Sequence, residues 1–558
     1  MKRALGSVLL AVSLLAAGTA RASDLLTPDP TGLWFDPSQP GWGLEVAQQG
    51  ETAFAILFTY DANHKPVWYV ASHLDSGGVD WEMPAVMRGT LYRTTGPAFS
   101  ATSFSPRAVT ATPVGTMQLA YPGFGEPQPA PGAPRQLNLT YSIDGVQFTK
   151  KLTAQTWSTS AQDLVGDYAG QFFLRISGAG GGTPPPPACP SADVVATPPV
   201  QPIQPYVFSV AAGETPDRAV IRWGSGVDIG CSVDAAYARD GQLASLSGSL
   251  ACGPIGSPAA GGIPVRITDI AWTPAGFFGA ADLELTLPGG TLCSYYGGFG
   301  GVLRAPVARS GMNPDPTGVW FIPQESGWGL ILTQQGPNIF AALFAYDADG
   351  KPTWWAASNV VDTGKPVDLL VGEAFAGPLY STTGPYFGNT GDSTPFSATQ
   401  AGTLRIAYVG GTDSLALSYT VGATTVEKTL QRETWSRNSR GFSGNFTGGL
   451  FPTPSACGSD GLFAAQPTTL SIVPGLGTIG DPNPASARIT WTTANGTACV
   501  FNAAYTQTGQ LGNFSGPVQC ASVQGSLTIS SIGGGFAGFA NFTSGDCTTG
   551  GFVGGAGH

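Results

Sequence analysis

Hydrophobic positions along the chain repeat every two residues. In 52–60, Phe54, Ile56 and Phe58 alternate with Ala53, Ala55 and Leu57, which leaves one face bulky, as in a strand. No segment of ten or more residues shows a 3.6-residue apolar period. The pattern predicts strands over 32–36, 42–49, 52–60, 66–74, 86–94, 114–121, 136–143 and 146–157. Asp61-Ala-Asn-His64 separates the third from the fourth, and Asp144-Gly145 separates the last two; both tolerate the positive φ of a hairpin turn. About eight sequential antiparallel strands predict a small barrel or a sandwich.

The pattern then recurs. Residues 28–72 and 314–358 match at 27 of 45 positions without a gap. Tyr92-Arg-Thr-Thr-Gly-Pro answers Tyr380-Ser-Thr-Thr-Gly-Pro, and Thr156-Trp157-Ser158 answers Thr434-Trp435-Ser436. The cysteines repeat as Cys189, Cys231, Cys252 and Cys293, then Cys457, Cys499, Cys520 and Cys547, with first gaps of 42 and 21 in each set. Two long copies make a duplication, not a solenoid. Each half holds a Cys-free domain A and a smaller four-Cys β-domain B. The expected order is A1 (24–178), B1 (184–308), A2 (312–448) and B2 (454–558). The first seam is the Gly- and Pro-rich stretch 178–187, which reads as a linker.

In B1, Asp240-Gly241 between two alternating runs signals a hairpin, and Thr508-Gly509 is its counterpart in B2. Those turns set Cys231 opposite Leu250, two residues from Cys252, so a bulge or longer turn is needed to bring the thiols together. The expected bridges are Cys231–Cys252 with Cys189–Cys293, and Cys499–Cys520 with Cys457–Cys547; four cysteines allow three pairings, and spacing alone leaves the choice open. Metal-type Cys spacing is missing, so no metal and no cofactor are expected.

Composition agrees with an exported β-protein. Gly (79) and Pro (46) are abundant, charged residues are only 11 %, and 10 % aromatics argue against disorder. Lys2 and Arg3, the apolar run from Ala4 to Ala17, and Ala20-Arg21-Ala22 together read as a secretory signal peptide over 1–22. Its removal takes three basic residues and leaves 22 basic against 36 acidic, a charge of −14. That balance disfavours nucleic acid as a partner. Beyond the leader, no apolar run is long enough to predict a membrane span. The expected location is secreted or periplasmic.

Catalytic signatures are missing. The three histidines are His64, His73 and His558; His64 aligns with Gly350 and His73 with Asn359. No GxSxG, HExxH or Walker loop occurs. Within the matched block the shared ionisable residues are Asp29/Asp315, Asp61/Asp347 and Lys65/Lys351, whereas Glu45 faces Ile331. No carboxylate pair is nominated, and no catalytic residue is expected.

The aromatic clusters are the most specific feature. Adjacent strand residues point to opposite faces, so Trp68-Tyr69 and Trp354-Trp355 each send one ring inward and one outward. An outward ring either packs under another domain or stacks on a flat ligand such as a sugar. Trp68, Tyr69, Trp354, Trp355, Trp42 and Trp328, with Gln49 and Gln335 beside them, are therefore the candidate ligand-binding residues.

The string SGWGL…QQG…F…YDADGKPTWWAAS (326–358) resembles a motif of secreted proteobacterial proteins that mostly carry no assigned function. In some of these a similar module stands beside a hydrolase domain. The resemblance covers the A domains only; it implies export and an accessory β-module, and it carries over no catalytic residues. The leading expectation is an exported, non-enzymatic binding or surface-interaction protein for carbohydrate or a cell-envelope polymer. The alternatives are a secreted hydrolase using paired carboxylates and a structural part of an extracellular assembly.

Overall fold

The computed structural model describes residues 29–75, 86–101, 103–122, 134–176, 189, 207–224, 229–254, 262–273, 276–287, 290–304, 311–364, 371–388, 392–410, 412–452, 468–475, 485–492, 496–521, 523–533, 537–545 and 547–557. The leader 1–22, Cys457 and His558 lie outside them.

The chain is all-β and closes into four eight-stranded antiparallel barrels. Barrel A1 runs in chain order from β1 (Gly32–Phe35) to β8 (Val146–Ala154), and Trp34 on β1 lies opposite Ala154 on β8. Barrel A2 repeats the course from β17 (Gly318–Phe321) to β24 (Thr424–Arg432), with Trp320 opposite Arg432. Closure leaves no unpaired sheet edge. Of the two architectures the alternation allowed, the barrel is the one formed.

The B domains, like the A domains, close with eight strands each. B1 begins at β9 (Gly166–Ile176), which pairs with both β10 (Val207–Ala212) and β16 (Leu292–Leu303). B2 begins at β25 (Gly444–Pro452), paired with β26 (Thr468–Pro474) and β32 (Cys547–Gly557). The boundaries at 178 and 448 therefore fall too late. The stretch 178–187 lies between the first and second strands of B1, not between two domains. Composition marks a linker locally, but barrel membership is set by hydrogen-bond partners more than a hundred residues away.

The hairpins correct the cysteine geometry. In B1, Asp240 at the end of β12 (Ile229–Asp240) pairs with Leu243 at the start of β13 (Leu243–Pro254), so the loop is Gly241-Gln242. Moving the turn on by one residue shifts the register by two and sets Cys231 directly opposite Cys252, with no bulge between them. Likewise Gly509-Gln510 joins β28 (Ala498–Thr508) to β29 (Leu511–Cys520), with Cys499 opposite Cys520. Glycine holds the first loop position in both, at φ +62° and +56°, as such turns require. Cys189–Cys293 and Cys499–Cys520 are bridged. Cys231 is also disulfide-bonded.

In β3 (Thr52–Tyr60) the small members of the alternation, Ala53 and Ala55, enter the A1 core with Leu57, Trp34, Leu44 and Val46. An eight-stranded barrel has room only for its own side chains, which favours small residues at crowded levels. Ile56 and Phe58 point out of the barrel and are nevertheless buried. Their cover is barrel A2.

Candidate functional site

The residues singled out by the duplication converge between A1 and A2. Here β2 (Gly43–Gln49), β3 and β4 (Pro66–Leu74) face β18 (Gly329–Gln335), β19 (Asn338–Tyr346) and β20 (Pro352–Asp362). Ala47, Ile56, Phe58, Tyr60 and Trp68 from A1 pack with Val319, Ile331, Ala342, Phe344, Tyr346 and Trp354 from A2 in one core. The outward rings are thus packing rings. Trp68 and Trp354 are only 2 % and 6 % exposed, so neither offers a free stacking face.

Contacts across this face come in reciprocal pairs. Trp68 Nε1 donates to the Ala345 carbonyl at 3.0 Å, and Trp354 Nε1 donates to the Thr59 carbonyl at 3.2 Å. Gln49 Nε2 donates to the Glu433 carbonyl, while its Oε1 accepts from the Trp435 backbone N–H at 3.0 Å. Gln335 does the same with the Gln155 carbonyl and the Trp157 N–H, also at 3.0 Å. Trp435 then lies against Phe54, and Trp157 against Phe340. Each half grips the other with the same residues, the pattern of an isologous dimer interface built within one chain.

The inward rings are closed off by exchanged arms. The segment between β5 (Val86–Thr95) and β6 (Thr110–Ala120) carries Phe99 to the A2 core, edge-on to Trp355 at 5.0 Å. The matching A2 segment carries Phe387 to the A1 core, edge-on to Tyr69 at 5.6 Å. Backbone bonds pin the arms: Phe99 N–H donates to the Tyr346 carbonyl, and Phe387 N–H to the Tyr60 carbonyl. Gly96 and Gly384 let the arms pass, since a Cβ at either would stand 2.4 or 2.3 Å from the Tyr346 or Tyr60 ring.

The structure places the other candidate ligand-binding residues in packing positions as well. Tyr69 and Trp355 belong to the barrel interiors under the arms, and Trp328 is buried in the A2 core. Trp42 packs at the edge of the A1 core with the Lys150 ammonium over its ring. Gln49 and Gln335 spend their amides on backbone of the opposite half. Burial of these two barrel faces against each other is the physical reason that Trp68 and Trp354 do not form a solvent-facing platform.

The Thr-Trp-Ser segments also join A to B. Thr156 Oγ1 accepts from the Gly241 N–H at the tip of the B1 hairpin, and Thr434 Oγ1 accepts from the Gly509 N–H in B2, both at 2.8 Å. A guanidinium sits beside each tip over a core tryptophan. Arg135 covers Trp34 in A1, and Arg432 covers Trp320 in A2. The two arginines come from different places in the barrel: Arg135 lies just before the strand that starts at Gln136, and Ala154 stands opposite Trp34 where Arg432 stands opposite Trp320.

The shared acids make turns. Asp61 Oδ1 accepts from the Asn63 and Lys65 N–H groups, and Asp347 Oδ1 from those of Asp349 and Lys351. Asp29 and Asp315 accept from the N–H of Thr31 and Thr317. These bonds account for the Asp-rich turns without calcium. Among the described residues no group of three or more His, Cys, Asp and Glu could hold a metal ion.

One acid departs from this pattern. Glu45 lies at the centre of the A1–A2 face, 1 % exposed, where A2 has Ile331. Its Oε1 accepts a short hydrogen bond from Thr333 Oγ1 of the other half, and its Oε2 has no partner among the described residues. Burial raises its pKa to about 8. Sequence reasoning passed over Glu45 because it has no counterpart; the available signal was a carboxylate alone on an otherwise uncharged strand.

Comparison with protein-family models, with curated proteins and with solved structures finds no match to the chain.

Proposed function

We propose that this is an exported, non-enzymatic surface-interaction protein whose duplicated signature builds a rigid paired-barrel scaffold rather than a reaction centre. The observation that carries the reading is the use made of the shared residues. Gln49, Gln335, Trp68 and Trp354 bind the opposite half, and Asp29, Asp61, Asp315 and Asp347 bind turn backbone. A hydrolase common to both halves needs matched acids meeting in a pocket. The buried acid at the centre of the paired face is instead unique to A1. Bridged cysteines favour an oxidising compartment, and no helix among the described residues is long and apolar enough to cross a membrane.

The expected partners are polymers at the cell surface, met by the outer barrel walls. Co-sedimentation of the mature protein with peptidoglycan and insoluble polysaccharides, run beside a panel of chromogenic glycosides and esters, tests this. Retention without turnover supports the reading. Turnover of any substrate at a rate that survives repurification overturns it, and failure to sediment with any polymer removes the polymer partner.

A further inference from the structure

The A1–A2 face has the form of a dimer interface, although its two sides belong to one chain. We infer that this face is a homotypic docking surface whose partner is a second A barrel, held without the covalent link, and that Glu45 and Thr333 select an A2 barrel as the partner of A1. The inference concerns the pairing face and is independent of the polymer partner proposed above.

Three observations carry it. First, the contacts are reciprocal: Trp68 with Ala345 and Trp354 with Thr59, Gln49 with Trp435 and Gln335 with Trp157. A face that meets its own copy in this way is self-complementary by construction. Second, Phe99 and Phe387 are exchanged, so each barrel's core is completed by the other half. Third, the symmetry is broken at a buried contact on the face, where Glu45 meets Thr333, and again at its rim, where His64 of A1, Gly350 in the other copy, lies 3.5 Å from Asp392 of A2. The counterparts of Glu45 and Thr333 across the duplication are Ile331 and Ala47, which also lie in this shared core.

The buried departure makes the pairing directional. Were A1 to meet another A1, Glu45 would face Ala47 of the other copy, and two buried carboxyls would lose their only hydrogen bonds. Were A2 to meet A2, Thr333 would face Ile331 and its hydroxyl would lose the carboxyl. Only A1 with A2 satisfies both groups. Leaving a buried polar group unsatisfied costs more than a made bond gains, so one such contact discriminates among otherwise similar partners.

The test uses the full chain with a protease site placed in 305–310, cut after folding. The expected result is that the cut protein still migrates as a single one-to-one complex of first and second halves, with unchanged far-UV circular dichroism; strands of B1 and B2 also touch, so the share of the A1–A2 face is read from the variants that follow. Native mass spectrometry then reads which halves pair. Wild type should give mixed pairs only. Thr333→Ala should weaken association of the cut halves about tenfold or more, the loss of one buried hydrogen bond to a carboxyl group. Glu45→Ile with Thr333→Ala should recover the association and allow first–first pairs. Separation or unfolding of the halves on cutting overturns the docking surface. Equal pairing selectivity in wild type and in the double variant overturns the role of Glu45 and Thr333.

Discussion

Gln49 and Trp435, 386 residues apart in the chain, are joined by a 3.0 Å hydrogen bond from the Trp435 backbone N–H to the Gln49 side-chain carbonyl. The same bond joins Gln335 to Trp157. The QQG and Thr-Trp-Ser strings, distant within each copy, are therefore two ends of one joint made twice between the halves.

Removing either amide should loosen that joint measurably. Gln49→Ala strips the Glu433 carbonyl and the Trp435 N–H of their partner together. The expected loss is about 1–3 kcal/mol for each glutamine, the range for buried polar groups left unsatisfied. Urea unfolding midpoints measure it. A change below a few tenths of a kcal/mol for both Gln49→Ala and Gln335→Ala would mean that the joint does not hold the halves.

How far the sequence reached can be judged from β3 and its neighbours. The A1 strands match their expected spans closely because each alternates in period two and is bounded by turn residues such as Asp61 and His64, the latter at φ +59°. The same alternation showed that Trp68 and Tyr69 face opposite ways, but the ring's cover was beyond it. That cover is Phe344 and Tyr346, brought in by a contact spanning more than 270 residues. The span expected for A1 takes in β9 without predicting a strand there, since a lone strand before a Gly- and Pro-rich stretch does not announce which sheet it completes.

Truncating the outward rings should act on stability and not on a separate ligand site. Trp68→Ala and Trp354→Ala each remove a buried indole and a buried hydrogen bond. Each should cost about 3–5 kcal/mol, as other buried Trp and Phe truncations do. Tyr69→Phe keeps the ring under Phe387 and should cost under about 1.5 kcal/mol. Thermal unfolding of the three variants checks the order; a Trp68→Ala protein as stable as wild type would contradict the packing role.

The bridges differ in the loops they close. Cys189–Cys293 spans 104 residues and Cys499–Cys520 spans 21. Chain entropy alone gives about 5 kcal/mol for the first and about 3 kcal/mol for the second. Cys189→Ser/Cys293→Ser should therefore lower the denaturation midpoint more than Cys499→Ser/Cys520→Ser. The reverse order would indicate that the short cross-strand bridge stabilises by more than loop closure.

Glu45 sets the pH dependence of the A1–A2 joint. β2, β3, β18 and β19 carry no other charged side chain, so nothing on these strands offsets the charge once the carboxyl ionises. Its pKa rises from an ordinary 4.5 to about 8 in the folded protein. Between those values the native state holds a proton that the unfolded chain has released, so stability from this group is full below about pH 4.5 and declines as pH rises to 8. Glu45→Gln keeps an acceptor for Thr333 and has no proton to lose. The variant should flatten the decline from pH 5 to 9 and be the more stable form at the alkaline end, measured by urea midpoints across that range. Parallel pH profiles for wild type and Glu45→Gln would show that the buried carboxyl does not titrate with folding.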